Sequence, residues 1–267
     1  MTEQPIRADK SFGQHFLHEA GVIDNILRFA APLEGRHIIE IGAGPGALTR
    51  ALLTADIASL HAIEIDPRMV PGLEALAASA AGKMTVIHQD ALGMDSTALC
   101  PAPRAVVANL PYNVATPLLV GWLHAIHAQG ADAFERLTLM FQKEVAERIA
   151  AKPGGKEYGR LSVLAQWLCK VEYGFDIAPE CFTPPPKITS AVIRLTPYPA
   201  PAYPADRNVL EKLLAAGFNQ RRKMLRSALK SALPHPEADL EKAGIDPTRR
   251  AETLSVEEWC RLATGIA

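Results

Sequence analysis

The sequence has few cysteines, little net charge and no long apolar run, and these shortages argue against a disulfide-rich or membrane-spanning protein. Its 267 residues include four cysteines that lie far apart and form no CxxC pair, so we expect reduced thiols rather than a disulfide framework. The formal net charge is −1, so the whole-chain charge balance does not indicate a nucleic-acid partner. No apolar run approaches the roughly 18 residues of a membrane span.

The sequence also shows neither the ligand spacing of a metal site nor the apolar pattern of a secretory signal. The histidine pairs His15/His18 and His124/His127 are each three residues apart, but no third or fourth ligand is suggested nearby. The first 14 residues contain no apolar stretch of the kind that a secretory signal requires. We therefore predict a cytoplasmic protein that binds no metal and no membrane, and we assume that it is a monomer.

What the sequence does have is an alternation of strand and helix patterns. Hydrophobic residues make up 48% of the chain and charged residues 21%, which is typical of a globular protein with a sizeable core. Short apolar runs alternate with amphipathic stretches from residue 22 onwards, and this order predicts a mostly parallel sheet with helices on both faces. The predicted strands are 37–42, 60–66, 84–90, 104–110, 136–142, 171–178 and 190–196.

A proline-rich stretch divides the chain. Residues 197–204, PYPAPAYP, hold four prolines in eight positions, which neither a helix nor a strand tolerates. Only helical patterns follow it, among them a continuous one over 220–233. We predict a Rossmann-like α/β domain over residues 1–199 and a small all-helical domain over 200–267.

Glycines follow the first strand in the segment Glu40-Ile-Gly42-Ala-Gly44-Pro-Gly46. Glycine allows positive φ angles and lets a ligand approach the backbone closely. With Ala47, the segment also fits the G-x-G-x-x-A pattern of dinucleotide-binding proteins, so a dehydrogenase is one alternative. The glycine loop alone does not decide between these functions.

Polar residues follow the next three strands at the point where each strand ends. Glu64 is placed to accept hydrogen bonds from ribose hydroxyls, and Asp90 is placed to accept one from an adenine amine. The tetrapeptide Asn109-Leu-Pro-Tyr112 ends the fourth strand. Because ligands bind beyond the carboxyl ends of parallel strands, we predict one binding site along this edge. A dehydrogenase gives no reason for the tetrapeptide.

These motifs resemble those of the ribosomal RNA adenine N6,N6-dimethyltransferases, over nearly the whole chain. The segments that carry the resemblance, in order, are 10–17, 40–46, 62–66, 89–92, 109–112, 141–149, 158–163, 182–187 and 218–226. The resemblance implies a class I methyltransferase fold, S-adenosylmethionine as the cofactor, and dimethylation of two adjacent adenosines in small-subunit rRNA. The partner would be small-subunit rRNA within a 30S or pre-30S particle.

The resemblance also implies which residues contact the cofactor. They are His15, Leu17, Gly42, Glu64, Asp90 and Asn109, and we add Glu40, Gly44 and Ala91 as neighbours in the same motifs. His15 stands where many relatives have asparagine. If the contact there is made by the backbone, this change is harmless.

The tetrapeptide suits methylation of an adenine amine. The Asn109 side-chain oxygen and the Leu110 carbonyl can each accept an N6–H, which favours a pyramidal nitrogen whose lone pair points at the methyl group. Pro111 stiffens the turn, and Tyr112 can stack on the adenine, which is worth about 1–3 kcal/mol. Phe182 is the candidate for the opposite face of the base. Burial in the core is the alternative for each of the two aromatic rings.

Basic residues concentrate in the second predicted domain. Arg221, Arg222, Lys223, Arg226 and Lys230 fall within ten positions, and on a continuous helix Arg222, Arg226 and Lys230 would share one face. We predict that Arg221, Arg222, Lys223 and Arg226 contact RNA phosphates. Lys187, in the segment FTPPPK, is a further candidate for the RNA surface. A plain solvated face is the alternative.

Two other functions stay open. One is methylation of large-subunit rRNA by an enzyme of the macrolide-resistance type. The other is a non-catalytic ribosome-assembly or RNA-binding factor that keeps the fold. The presence of Glu64, Asp90 and the tetrapeptide favours an enzyme over such a factor.

Overall fold

The computed structural model describes residues 13–266, and the chain divides into two compact units. Within the described residues, unit 1 runs to Ala146 and resumes at Glu172–Pro197. Unit 2 comprises Glu147–Val171 and the residues from Tyr198 onwards. The break after Pro197 lies two residues from the predicted boundary. Residues 147–171 fall within the predicted first domain, but in the structure they belong to unit 2. A helix within them packs against helices that follow the proline-rich stretch.

The strands follow the predicted order closely. Their bounds are β1 Phe16–Leu17, β2 His37–Ile41, β3 Ser59–Glu64, β4 Met84–His88, β5 Arg104–Asn109, β6 Arg136–Gln142, β7 Cys169–Ile177, β8 Phe182–Thr183 and β9 Ser190–Pro197. Continuous apolar runs such as β5 and β6 are buried almost throughout, which is the pattern of strands covered on both faces.

The helices lie between these strands and after them. Their bounds are α1 Ala20–Ala30, α2 Ala47–Thr54, α3 Val70–Ser79, α4 Tyr112–Gln129, α5 Lys143–Ala150, α6 Arg160–Leu168, α7 Arg207–Asn219, α8 Leu225–Ala228, α9 Pro236–Lys242 and α10 Val256–Gly265. Capping residues define two of them, since the side chain of Asp206 accepts from the N–H of Val209 and Ser255 forms a capping box with Glu258.

The main sheet of the described residues has seven strands in the order β4-β3-β2-β5-β6-β9-β7. Strands β2 to β6 pair in parallel, and β9 runs antiparallel to β6. The strand order reverses beside β2, with β3 and β4 on one side and β5 and β6 on the other. Such a switch point opens a crevice at the carboxyl ends of the strands. The predicted Rossmann-like α/β fold is confirmed.

One face of this sheet packs against α1 and α2. Ile38, Leu60 and Val107 project from β2, β3 and β5 into a core that also contains Ile26 of α1 and Leu52 of α2, and all five are at most 3% exposed. Burying an aliphatic side chain of this size contributes roughly 1.5–3 kcal/mol. The rigid strands that this core supports determine where the side chains at their ends lie.

The predicted continuous helix over residues 220–233 is wrong. Helix α7 ends at Asn219, residues 220–223 form turns, and Met224 makes an isolated bridge with Arg250 before the short helix α8. The N–H groups of Leu225 and Arg226 donate to the carbonyls of Arg249 and Pro247. These backbone bonds to a distant segment replace the hydrogen bonds that a continuous helix would make.

Two kinds of feature are absent from the described residues. Between residues 13 and 266, no helix combines the length and the apolar character that crossing a membrane requires. The same part of the chain contains no group of three or more His, Cys, Asp or Glu side chains that could hold a metal ion.

Candidate active site

A cleft of about 410 Å³ lies at the carboxyl ends of β2, β3 and β5 in unit 1. The predicted cofactor residues line it: His15, Leu17, Glu40, Gly42, Gly44, Glu64, Asp90, Ala91 and Asn109. Leu110, Pro111 and Tyr112 line it too. The residues predicted from the sequence motifs and from the family resemblance thus lie around one cleft in the fold.

The glycine loop forms the floor of the cleft. Gly42 and Gly44 have φ angles of +71° and +54°, which residues with a side chain rarely adopt. A Cβ at Gly42 would meet the Pro111 ring at 3.2 Å, and one at Gly44 would meet the Phe16 ring at 3.3 Å. Both positions require glycine, because the loop passes close to the tetrapeptide on one side and to β1 on the other.

Glu64 ends β3 with its carboxylate held by the backbone. One oxygen accepts from the N–H of Gly44 at 2.7 Å, and the other accepts from the N–H of Asp66 at 2.8 Å. The side chain is 4% exposed. Each carboxylate oxygen has a second lone pair, so Glu64 can still accept hydrogen bonds from a ligand's hydroxyl groups.

Glu40 is the most deeply buried acid of the cleft. It is 1% exposed, and its Oε2 atom has no hydrogen-bond partner among the described residues. Burial raises the pKa of Glu40 from its ordinary value of 4.5 to about 8, and the nearby charge of Glu64 adds to the rise. Glu40 is therefore largely neutral at pH 7.

Asp90 and Ala91 lie just beyond β4, on the rim of the cleft. Asp90 is exposed, and its Oδ1 atom accepts from the N–H of Leu92 at 2.9 Å. This bond orients the carboxylate and leaves its other oxygen for a ligand. Ala91 is 9% exposed, so its contribution to the cleft is mainly its backbone and one methyl group.

Residues 13–17 line the cleft and are held in place at several points. Gln14 donates to Asp66 Oδ2 at 2.8 Å, and β1 pairs antiparallel with β8, so that Leu17 lies opposite Phe182. His15 Nδ1 lies 2.8 Å from the Pro184 carbonyl and therefore donates to it. Of the motif 10–17, residues 10–12 lie outside the described residues. Its described part forms a wall of the cleft.

The tetrapeptide turns from β5 into α4 at the mouth of the cleft. The Asn109 side-chain nitrogen donates to the His15 carbonyl at 3.2 Å, which turns the side-chain oxygen away from His15. Leu110 is buried, and the Pro111 carbonyl accepts from Val114 and so begins α4. The Tyr112 ring is partly buried, with its centroid 5.6 Å from that of His15.

The two predicted residues of the FTPPPK segment have opposite environments. Phe182 is 2% exposed and belongs to the core that includes Leu17, so its burial favours the core alternative over stacking on a base. Lys187 is exposed to solvent in unit 1. Exposure leaves it able to contact RNA, but it does not line the cleft.

The basic residues of unit 2 lie on a turn and a short helix. Arg222, Lys223, Arg226 and Lys230 are exposed. Arg221 is partly buried, where it donates to the Gly155 carbonyl at 3.1 Å and lies 3.7 Å from the Glu252 carboxylate. Arg226 pairs with Glu237 at 3.3 Å. The predicted shared helical face of Arg222, Arg226 and Lys230 is wrong, because the helix is interrupted between the first two.

Comparison with known proteins identifies the family. A family model described as "Ribosomal RNA adenine dimethylase" matches residues 6–267. The chain is 51% identical to the ribosomal RNA small subunit methyltransferase A of Paracoccus denitrificans over 262 residues, which are 98% of this chain and 92% of that protein. The chain belongs to the ribosomal RNA adenine dimethylase family.

Further relatives of this dimethylase agree. The ribosomal RNA small subunit methyltransferase A of Rhodospirillum rubrum is 51% identical over 97% of this chain and 88% of its own. Among solved structures, a dimethyladenosine transferase from Plasmodium falciparum superposes with a TM-score of 0.78 at 25% identity, covering 93% of this chain and 96% of that one. The 23S rRNA methyltransferase ErmE has a TM-score of 0.69 at 25% identity, with coverages of 94% and 98%.

Family membership establishes both the reaction and the cofactor. The chain is an S-adenosylmethionine-dependent rRNA adenine dimethyltransferase, and the dehydrogenase alternative is wrong. The cleft fits this cofactor: the bare backbone of Gly42 and Gly44 leaves room for a close approach, and Glu64 can take up ribose hydroxyls. Glu40 keeps an unpartnered oxygen beside them.

Three residues that shape this site of the dimethylase are not among those predicted from the sequence. Asp66 is fully buried. Hydrogen bonds from Arg68, and to a smaller extent from Gln14, lower its pKa to about 2, so Asp66 anchors residues 13–17 as an anion. Phe16 covers the glycine loop, and Ser190 bonds Tyr112. Asp66 and Phe16 lie within the quoted motifs 62–66 and 10–17, whereas no local pattern connects Ser190 to Tyr112.

Proposed function

We propose that this dimethylase transfers methyl groups to the N6 amines of two adjacent adenosines in the 3′-terminal hairpin loop of small-subunit (16S) rRNA. Its substrate would be a 30S or pre-30S particle in the cytoplasm, and the enzyme would act as a monomer. One observation supports the choice of subunit: the chain is 51% identical to two proteins named for the small subunit, over 98% and 97% of its length.

The hydrogen bond between Asn109 and His15 supports a direct role for Asn109 in turnover. Because the amide nitrogen is occupied by the His15 carbonyl, the amide oxygen is available to accept an N6–H of the target adenine. The Leu110 carbonyl would accept the second N6–H. Two acceptors outside the ring plane would pyramidalise the nitrogen and direct its lone pair into the cleft. When bound, S-adenosylmethionine supplies the methyl group as an activated sulfonium.

The cleft residues would hold the cofactor in place for this step. Glu64 would accept from the ribose, Asp90 from the adenine amine of the cofactor, and the loop Gly42–Gly44 would admit its amino-acid part. His15 would contribute through its carbonyl, since its ring is engaged with Pro184 and Tyr112. Leu17, Glu40 and Ala91 would complete the wall.

The target adenine would stack on Tyr112 after leaving the RNA stack. Bases that are modified on their edges must be extruded, which favours a loop over a regular duplex. Phe182 would support β1 from the core rather than contact the base, in keeping with its burial. Stacking on one aromatic ring is worth about 1–3 kcal/mol, which helps to offset the cost of extrusion.

We propose that residues 200–267 form the RNA-binding domain. Arg222 and Lys223 lie on an exposed turn, and Arg226 and Lys187 are exposed as well. These side chains would contact phosphates, which position RNA without reading its sequence. Arg221 would support the turn from within unit 2, since it donates to Gly155.

The decisive experiment is transfer of labelled methyl groups to small ribosomal subunits that lack this modification, with large-subunit RNA as the control. We expect dimethyladenosine at two adjacent positions near the 3′ end of the small-subunit RNA, mapped by mass spectrometry. Label confined to large-subunit RNA would favour the macrolide-resistance type instead. Absence of label with intact cofactor binding would favour a non-catalytic assembly factor.

A further inference from the structure

A buried serine holds the hydroxyl group of the tyrosine at the mouth of the cleft. The Tyr112 phenol oxygen lies 2.6 Å from the Oγ atom of Ser190, although the two residues are 78 positions apart. Ser190 is the first residue of β9 and is 0% exposed. Its backbone is fixed as well, because it pairs with Gln142 of β6 in the sheet. The hydrogen-bond partner of Tyr112 therefore stands on a buried, sheet-paired position of unit 1.

The hydrogen bond and a ring contact together fix the orientation of the Tyr112 ring. The His15 ring lies 5.6 Å away at an interplanar angle of 31°, and it is itself held by the Pro184 carbonyl. Tyr112 lines the cleft. Among the described residues, Ser190 is not one of those that line it. The observed side-chain contact between Ser190 and the lining of the cleft therefore runs through Tyr112.

We propose that Ser190 is a positioning residue for methyl transfer, which fixes the plane of the Tyr112 ring so that the target adenine stacks in line with the cofactor cleft. This inference rests on the proposed role of Tyr112 in holding the base. Stacking transmits the orientation of the ring to the base, and a reacting atom displaced by about 1 Å can cost as much as 10²-fold in rate.

Loss of the serine hydroxyl would release the ring without disturbing the cofactor. Burial raises the pKa of Tyr112, so its hydroxyl remains protonated and still needs a partner when Ser190 is removed. With no fixed partner, the ring would sample several orientations about its side-chain torsions. The rate of methyl transfer would fall, while the affinity for S-adenosylmethionine would stay unchanged because Ser190 does not line the cleft.

A double-mutant cycle tests this coupling in the full-length enzyme. Ser190→Ala, Tyr112→Phe and the double variant are compared in single-turnover methylation of the small subunit, together with cofactor affinity by calorimetry. We expect each single variant to lower the rate by roughly 3- to 10-fold, the range for one hydrogen bond. The double variant should be no slower than either single variant, since both changes remove the same bond.

Two further variants separate positioning from general damage to the fold. Ser190→Thr keeps the hydroxyl and should restore a rate close to that of the wild type. Thr138→Ala removes a hydroxyl that is 1% exposed on the adjacent strand β6 and has no hydrogen-bond partner among the described residues, so it should leave the rate unchanged. Thermal unfolding of all variants reports whether each is folded.

The inference is overturned if Ser190→Ala methylates at the wild-type rate, or if the effects of the two single variants multiply in the double variant. A loss of cofactor affinity in Ser190→Ala would also contradict it. Failure of the proposed function can be distinguished from failure of this inference, because in that case the wild-type enzyme itself would leave the small subunit unlabelled. If it labels large-subunit RNA instead, the same cycle can be measured on that substrate.

Discussion

In the cleft of unit 1, backbone N–H groups hold the carboxylate of Glu64, whereas in unit 2 side-chain carboxylates pair with the guanidinium groups of Arg221 and Arg226. The two bonds to Glu64 are 2.7 and 2.8 Å long, and the residue is buried. The pairs with Glu252 and Glu237 measure 3.7 and 3.3 Å. In the second of these pairs the side chains are 44% and 60% exposed.

The difference indicates how each region meets its ligand. Buried groups held by the backbone cannot move without breaking the fold, so the cleft is preorganised for a small molecule of fixed shape. The exposed pair of Arg226 and Glu237 contributes only about 0–1 kcal/mol, so a phosphate can replace this carboxylate at little cost. If the basic surface of unit 2 binds RNA as we propose, its exposed side chains can rearrange around that ligand, whereas the buried carboxylate of Glu64 is held in place.

The largest effect expected within the cleft is the loss of Asn109. Asn109→Ala removes the acceptor for the adenine amine together with the bond to the His15 carbonyl. We expect the methylation rate to fall by about 10²–10³-fold, the cost of removing one preorganised polar group at a reacting centre. RNA binding by filter retention should change little, because the basic surface of unit 2 is intact. A near wild-type rate would contradict our account of amine activation.

Replacement of Glu64 tests how strictly the backbone bonds define the cleft. In Glu64→Gln an amide NH₂ must face the N–H of Gly44 or of Asp66, so one donor meets another. We expect a loss of about 1–3 kcal/mol in the free energy of unfolding and weaker cofactor binding. Chemical denaturation and calorimetry measure the two effects. Unchanged values in both would mean that these bonds are dispensable.

The pH dependence of stability tests the burial of Glu40. Its pKa is raised in the folded state, so its contribution to stability is full below pH 4.5 and is lost as the pH rises towards 8. The slope is at most about 1.4 kcal/mol per pH unit. Glu40→Gln imitates the neutral acid, so the variant should gain stability relative to the wild type between pH 5 and 8, as followed by urea denaturation. A constant difference across this range would show that Glu40 titrates normally.

The smallest effects concern the exposed charges of unit 2. Arg222→Ala with Lys223→Ala should flatten the salt dependence of RNA binding by about 1.4–1.8 in logarithmic slope, the value for two lost phosphate contacts. Arg221→Ala should instead lower the melting temperature by a few degrees, because it loses the bond to Gly155. The matched control is Lys83→Ala. Lys83 precedes β4, at the end of the unit 1 sheet that lies opposite the cleft. An unchanged slope in the double variant would place the RNA surface elsewhere.

Much of unit 1 was predictable because its signals are local. Buried parallel strands are short apolar runs, and their carboxyl ends meet at one edge, so Glu64, Asp90 and Asn109 could be assigned to one site from their positions alone. The observed β5 and β6 agree with the predicted strands to within one residue. The family resemblance added residues 13–17, which no strand pattern identified as a wall of the cleft.

The features that sequence reasoning missed depend on contacts between distant residues. Helical periodicity runs through 220–233, but Leu225 and Arg226 bond the backbone of residues 247–249 instead of the preceding turn. The contact between Tyr112 and Ser190 spans 78 positions. Phe182 fits a base-stacking site by its sequence context, yet its pairing with Leu17 buries it.

The pairing of β1 with β8 also has a consequence for synthesis of the chain. Phe16 and Leu17 emerge early from the translating ribosome, but their partners Thr183 and Phe182 emerge only after more than half of the chain has been made. Contacts of such long separation form late, because the intervening segment must first be ordered. Until residues 182–184 are available, the nascent protein lacks a closed cofactor cleft. The wall of the cleft that β1 forms therefore cannot take its final pairing until residue 183 has been made.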